Sequence, residues 1–427
     1  MYLERRPLAD VSKHFASRRL ICLALAILST STILFLNSRE TREVSFFQAS
    51  IREPQEQQQI SLGQSPPAEE QWAFETQRDA LNFGMSDEQC DIAFPDLYWE
   101  LERARDHIIE TKGSIFEKDV HVDRKEEYSG RQHGEFQVMI YDGELYVIKE
   151  VPGEPDRSRG LAALANMYRA LTSIPNPKSI PNIEFVFDIE DVAQSPQHQP
   201  NHVADLESSY ALGWDDKPSK LSWRGSLAVN TRLRGDLVTA AKGRKWSDVE
   251  AIDWHNRDNI MAMQDFCRYQ YVAHTEGNSW SGRLRYLHNC NSVPVIHNLE
   301  YMAHYYHLLK SNGTEQNYVE VRRDWRDLDE KMESLIVRPD DARKIAAEST
   351  RVFRDRYLTP AAEACYWRRM FKTWRSVMAF EPRSHRVTKN GTIVRRGVSW
   401  ERFAFRQEKS FEHGFYEEEK HQEYDEP

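Results

Sequence analysis

Little in this sequence is arranged for metal, redox or nucleic-acid chemistry. Five cysteines are present and none forms a Cys-x-x-Cys pair, and the histidines show no ligand spacing, which speaks against structural zinc. No Gly-x-Gly-x-x-Gly follows a first strand, so a Rossmann dehydrogenase is set aside. A basic surplus is missing too. Lys and Arg number 57 against 67 Asp and Glu, a formal charge of −10, without the basic footprint that general nucleic-acid binding requires. No internal repeat is found.

What is present describes a folded protein with an anchor. Hydrophobic residues make up 40% of the 427 and aromatics 11%, enough for two domains with cores of their own. Leu20–Leu36 (LICLALAILSTSTILFL) carries no charge. As a helix it rises about 25 Å, near the lower limit for a bilayer span. Arg5, Arg6, Lys13, Arg18 and Arg19 precede it against Glu4 and Asp10. Positive-inside bias therefore makes residues 1–19 a cytosolic tail and sends the rest across the membrane, as a single-pass type II protein. A signal peptide cleaved near FFQAS is the alternative, and both readings put the body in a secretory lumen or outside the cell. Cys90, Cys267, Cys290 and Cys365 then sit where disulfides form, with three pairings open. Asn312-Gly-Thr and Asn390-Gly-Thr are acceptor sites for N-glycosylation in that topology.

Residues 37–85 are rich in Gln, Glu, Ser and Pro and read as a flexible stem. The folded body is expected over 86–380, in lobes of roughly 86–235 and 236–380, with an acidic tail over 381–427. FPDLYWELERARDHI reads as an amphipathic helix, and FQVMIYDGELYVIKEV as a hairpin turning at Asp142-Gly143. KLSWRGSLAVNTRLRGDLV passes from strand through a polar turn into a helix. RYQYVAH, EGNSWSG, RLRYLHN and SVPVIHN then read as strand, turn, helix and strand, and NYVEVRR as a further strand. Two helices follow, the second with Thr359 as N-cap and Pro360 as first helical residue. This rhythm predicts an α/β fold with a parallel sheet.

In such a sheet ligands bind beyond the carboxyl ends of the strands, where free helix amides favour an anion. EGNSWSGR falls at that kind of junction. Gly277 and Gly282 let backbone approach a ligand, Ser279 and Ser281 offer hydroxyls, and Arg283 adds a planar permanent charge suited to phosphate. Plain capping is the competing reading for these residues.

The stretches DFCRYQYVAHTEGNSWSGRLRYLHNCNSVPVIH and RKIAAESTRVFRDRYLTPAAEACYWRRMF decide between the two. They resemble glycosyltransferase family 90, which includes protein O-glucosyltransferases and capsule-type β-1,2-xylosyltransferases, and the resemblance runs from about Pro95 to Val377. It implies two Rossmann-like lobes facing a cleft (GT-B type) and a donor site that includes Gly277, Ser281 and Arg283. LSWRGSLAVNTRL is similar to the family's Arg-Gly-Ser turn with a second arginine, which assigns Arg224, Gly225, Ser226 and Arg232 to the nucleotide sugar. IPNIEFVFDIEDVAQ is similar to the strand ahead of the family's catalytic base, and that acid falls on Asp191, with Asp188 and Glu190 close by. Glu276 stands where relatives often have Asp, and Asn317-Tyr318 where a His-Tyr pair is common.

Asp327-Leu-Asp329 has the letters of a metal-binding Asp-x-Asp but sits at a helix start, where capping is expected. The resemblance implies no metal and no cofactor beyond the UDP-sugar donor. His274, His288, His297, His304 and His307 read as packing or surface residues. Trp280, within the turn, is placed to stack on base or sugar. The expectation is a metal-independent, inverting glycosyltransferase held in the endoplasmic reticulum or Golgi membrane by residues 20–36. It would move xylose or glucose from a UDP-sugar to a glycan or protein hydroxyl, with Asp191 as base. A non-catalytic binder of nucleotide sugar or glycan is the alternative.

Overall fold

The computed structural model describes residues 72–122, 135–151, 157–188, 212–256 and 258–405, with two short strands at 422–423 and 425–426. The expected membrane segment and Asp191 lie outside these residues. The chain divides into units 1–70 and 71–427, and every described element belongs to the second. Among the described residues no helix is long and apolar enough to cross a membrane.

A single helical turn, Thr76–Asp79, opens the body, followed by α1 (Asp87–Ala93) and α2 (Trp99–Thr111). Ser86 and Gln89 form a reciprocal capping box on α1. The stem reading ends too late, because Met85 and Asp79 are buried and Trp72 and Phe74 pack against the Phe94 cluster.

The first sheet grows from the expected hairpin. β1 (Glu135–Tyr141) and β2 (Glu144–Val151) pair antiparallel, with Asp142 at φ 52° and Gly143 at φ 83° supplying the left-handed turn that a two-residue hairpin needs. After α3 (Arg157–Thr172), β3 (Ile183–Asp188) pairs antiparallel with the free edge of β1. Strands joined by a tight hairpin run antiparallel, and apart from the single parallel bridge Ile115–Met378 the described residues of this part hold no parallel pair, so a second Rossmann-like lobe is not shown among them. Phe136, Val138 and Ile140, two apart on β1, face a core shared with Leu164, Met167 and Leu171 of α3.

The expected parallel sheet is present, with an edge strand, Ser247–Ala251, that the sequence reading did not include. β4 (Leu221–Gly225), β5 (Ser247–Ala251), β6 (Tyr271–His274), β7 (Val293–His297) and β8 (Val319–Val321) run parallel in the order β5-β4-β6-β7-β8. α4 (Thr231–Ala241), α6 (Leu328–Val337) and α7 (Pro339–Ser349) share one core with Trp223, Tyr271, Val295 and Val321. α5 (Arg283–Leu287) joins β6 to β7. β4 and α4 thus belong to the parallel sheet, so the division expected near residue 235 falls earlier. A π-helical stretch (Thr350–Tyr357) then leads to α8 (Pro360–Val377), whose N-cap Thr359 accepts from Ala362 N and whose first residue is Pro360.

Residues 381–405 are not a tail. β9 (His385–Val387), β10 (Ile393–Arg396) and β11 (Val398–Ser399) follow α8, and β11 pairs with β2. Val398, Trp400 and Phe403 enter the core of the first sheet. Arg396 donates to Glu184, a carboxylate only 1% exposed that also accepts from Gln137. The acidic run at the end of the chain drew this segment into the tail reading, although 381–405 itself carries six Lys and Arg against two Glu.

The cysteine pairing left open by the sequence is Cys90–Cys365 and Cys267–Cys290. The first ties α1 to α8 across 275 residues, and the second closes a span of only 23. On chain entropy alone, loops of these sizes contribute about 5 and about 3 kcal/mol. Replacing Cys90 and Cys365 together by serine should therefore lower the melting temperature more than replacing Cys267 and Cys290. Calorimetry of the two double variants checks the order.

Candidate functional site

In strand order β5-β4-β6-β7-β8 the chain leaves β4 toward one edge and returns at β6 toward the other. The loops after β4 and β6 therefore diverge at a switch point, where open α/β sheets form their ligand crevice. Those loops are residues 226–230 and 275–282, the two that the sequence singled out.

Side chains stitch them together. Trp223 Nε1 donates to Thr275 Oγ1 at 3.1 Å, reaching from β4 to the start of the second loop. To do so the indole lies across Gly225, where an added Cβ would come within 2.5 Å of the ring. The glycine of the Arg-Gly-Ser turn therefore has a steric reason. Asn230, at φ 46° and ψ 55°, sits in the left-handed region just before α4, and its amide donates to Gly277 O at 3.1 Å. Ser226 Oγ accepts from Ala228 N, closing the first turn.

Of the arginines that the resemblance assigned to the donor, Arg283 lies beside Arg234, Arg224 is buried and Arg232 is exposed. Arg224 is buried and turned toward β5. It bonds Asp248 Oδ1 at 2.6 Å, Asp248 O at 2.6 Å, Trp223 O at 3.0 Å and Asn259 O at 3.2 Å. Tyr269 Oη also donates to Asp248, so this guanidinium is absorbed by the fold. Arg232 is exposed and lines a small polar cleft with Glu300, Arg323 and Asp324. The residue the sequence reading missed is Arg234. It is 8% exposed, donating from Nε to Glu276 O at 3.2 Å and from Nη1 to Ser226 O at 2.9 Å, so one cation holds both loops.

Arg234 and Arg283 form the electrostatic centre. Neither makes an ion pair with a carboxylate among the described residues. Arg283 lies over the Phe266 ring, 5.6 Å from its centre, and its Nη1 is buried without a partner. Burial, and then the neighbouring Arg234, push the Arg283 guanidinium down to about 10, so both remain charged at neutral pH. Two cations with no counter-charge favour an anion. The expected helix N-terminus adds little, since α5 is five residues long with no side-chain cap.

The remaining predicted residues surround this pair. Gly277 N donates to Ser279 O, and a Cβ at 277 would meet only ordinary contacts, 3.8 Å from Arg234 Nη2. Ser279 is buried, whereas Ser281 and Gly282 are partly exposed ahead of α5. Trp280 packs against the Phe94 cluster. Glu276 is fully buried. Its Oε1 accepts from Glu300 N and Tyr301 N, and its Oε2 pairs with Arg323 at 2.6 Å. Glu276 N donates to His297 Nε2, which leaves the His297 proton on Nδ1 to donate to Asn298 O. Asp327 Oδ1 accepts from Arg322 N, and Asp329 is held by Arg244 and Trp246, so each acid of the Asp-x-Asp has its own protein partner.

A doubly wound parallel sheet with an uncompensated cationic pair at its switch point is the architecture of a nucleotide- or phosphate-binding domain. Residues 197–395 match the model of "Glycosyl transferase family 90". Similar proteins include Protein O-glucosyltransferase 3 of Mus musculus, 29% identical over 192 residues, 43% of this chain and 37% of that protein. The O-glucosyltransferase rumi homolog of Aedes aegypti is 26% identical over 182 residues, covering 39% and 44%. Protein O-glucosyltransferase 1 of Rattus norvegicus is 23% identical over 185 residues, covering 41% and 46%. The chain thus spans less than half the length of the curated relatives it matches. The match begins after Asp191 and includes both loops and both arginines of the pair.

Two measurements test the frame of the site. Gly225→Ala forces Trp223 off Thr275 and should cost about 1–3 kcal/mol, read as a lower denaturation midpoint. Acid should weaken the fold as well. Burial pushes His288 down to about 3, while burial and then His297 and Arg283 hold His274 well below its usual range. The unfolded chain takes up these protons below about pH 6.5, so stability present above that value is lost at up to about 1.4 kcal/mol per pH unit for each histidine. The melting temperature should fall between pH 7 and 5.5; a flat profile would contradict the two neutral imidazoles.

Proposed function

We propose that this chain is a glycosyltransferase that moves xylose or glucose from a UDP-sugar to a hydroxyl of a protein or glycan, with inversion and without a metal. The observation that supports this reading is the Arg234–Arg283 pair, cationic and without carboxylate partners at the switch point. The diphosphate of a nucleotide sugar carries the charge that this pair lacks. As the bond from the anomeric carbon to the diphosphate breaks, negative charge grows on the departing oxygen. Two fixed guanidiniums stabilise that charge more strongly than the ground state.

Asp191 is the base of this scheme. Its carboxylate takes the proton of the acceptor hydroxyl as that oxygen attacks the anomeric carbon from the face opposite the leaving diphosphate, which inverts the centre. The names of the relatives, O-glucosyltransferases and protein O-glucosyltransferases, favour glucose as the sugar and a protein hydroxyl as acceptor. The disulfides fit a body in the secretory lumen, held at an endoplasmic reticulum or Golgi membrane by residues 20–36.

Release of UDP from a panel of UDP-sugars, followed with the purified body in EDTA, tests the proposal. Arg234→Gln and Arg283→Gln should each lower turnover by about 10²-fold or more, the range for one lost transition-state donor. Arg232→Gln, at an exposed position, should change it only a few-fold. Asp191→Asn should abolish transfer and leave UDP affinity intact, whereas a non-catalytic binder would keep its function. Strict dependence on manganese would overturn the metal-free reading.

A further inference from the structure

Away from the donor site, a groove of about 730 Å³ follows the outer side of β8. Among the described residues β8 pairs only with β7, and its other side has no strand neighbour. Val319, Glu320 and Val321 form one wall of the groove and side chains of α6 and α7 the other, with the largely buried Leu335 and Ile345 lining it. Its mouth is the turn Ser311–Thr314. Asn312, Gly313 and Thr314 are exposed there, with Gly313 at φ 83°, and the Asn312 amide engages no described group.

We propose that Asn312 carries an N-linked glycan whose first sugars lie in this groove and cover the open side of β8. The tripeptide Asn312-Gly313-Thr314 is an acceptor sequence. The oxidised pairs Cys90–Cys365 and Cys267–Cys290 belong to the compartment where such acceptors are used. The groove suits a neutral polyhydroxyl chain better than an ion, because its charges are mixed, with Arg322, Lys331, Arg338 and Lys344 set among Glu320, Asp327 and Asp341. Arg338 and Lys344 both face Asp341, at 3.9 and 3.6 Å, and Lys331 shares the lining with Glu320. Hydroxyls find donors and acceptors along such a wall, and the apolar faces of sugar rings find Leu335 and Ile345. Sheet edges are commonly protected by a covering element, and a glycan here would be one. The second acceptor, Asn390, is exposed in the turn between β9 and β10 and does not line the groove. None of this depends on the glycosyltransferase reading.

The full chain, expressed in a eukaryotic secretory host, provides the test. Glycopeptide mass spectrometry should find Asn312 modified in molecules whose two disulfides are confirmed in the same digest, and Thr314→Ala should abolish the modification. Enzymatic deglycosylation of the native protein should raise amide exchange at 319–321 several-fold, an increase that Thr392→Ala must not reproduce. Unmodified Asn312 in fully oxidised protein would overturn the proposal. A modified Asn312 whose removal leaves exchange at β8 unchanged would overturn the seating in the groove.

Discussion

Holding Arg234 beside Arg283 with no carboxylate on either among the described residues costs the fold free energy, since both lose hydration and they repel each other. The fold offsets part of that cost with main-chain oxygens: Arg234 is anchored by the carbonyls of Ser226 and Glu276. The same two bonds fasten the loop after β4 to the loop after β6. The positive charge is therefore also the clasp that shapes the crevice. Removing it would loosen the loops as well as the charge, whereas an arriving anion strengthens both, which is the pattern of a site that trades stability for function.

The loop that meets Arg234 also carries a buried carboxylate, Glu276, which is committed elsewhere. Glu276 contributes its carbonyl to Arg234, but its side chain points the other way, into two amides after β7 and the Arg323 guanidinium. Glutamate reaches those amides from the end of β6. Arg323 in turn bonds Asn298 O, so the loops after β6, β7 and β8 are joined by a charge network of their own. Positive and negative charges are thereby sorted to two sides of one loop.

Four strands of the parallel sheet were legible because each is a short, largely apolar run closed by a polar turn, whereas β5 (SDVEA) is mostly polar and was not read. The hairpin at Asp142-Gly143 was legible for its turn chemistry. The antiparallel first sheet was not inferred, since strand direction depends on pairing and β1 pairs with a strand more than forty residues away. The arginines show the limit of motif reading. Arg232 and Arg234 are two residues apart on α4, so they point about 200° apart around its axis. Only the phase set by Leu233, Leu237 and Ala241 against the sheet decides which arginine turns inward. Arg224 is governed by strand parity: Trp223 fills the core on one face, so Arg224 faces the other, toward Asp248 on the neighbouring strand. A linear pattern contains neither phase nor parity until the packing partner is known.

The position of Arg283 is also set from outside the parallel sheet. Two residues further along α5, Arg285 pairs with Glu363 of α8 at 2.7 Å, both nearly buried, and Glu363 accepts from Asn166 of α3 as well. α8 in turn carries Trp367 and Phe371 into the core of the first sheet, and Cys365 binds it covalently to α1. The helix that presents Arg283 is therefore braced by the elements covering the antiparallel sheet, and the Cys267–Cys290 bond holds its far end beside Phe266, the ring beneath that guanidinium. A five-residue helix has too few internal hydrogen bonds to fix a charge by itself. Its precision comes from a buried ion pair on one side and a disulfide on the other, which makes the first sheet part of the site's geometry even where it contributes no residue to the cationic pair.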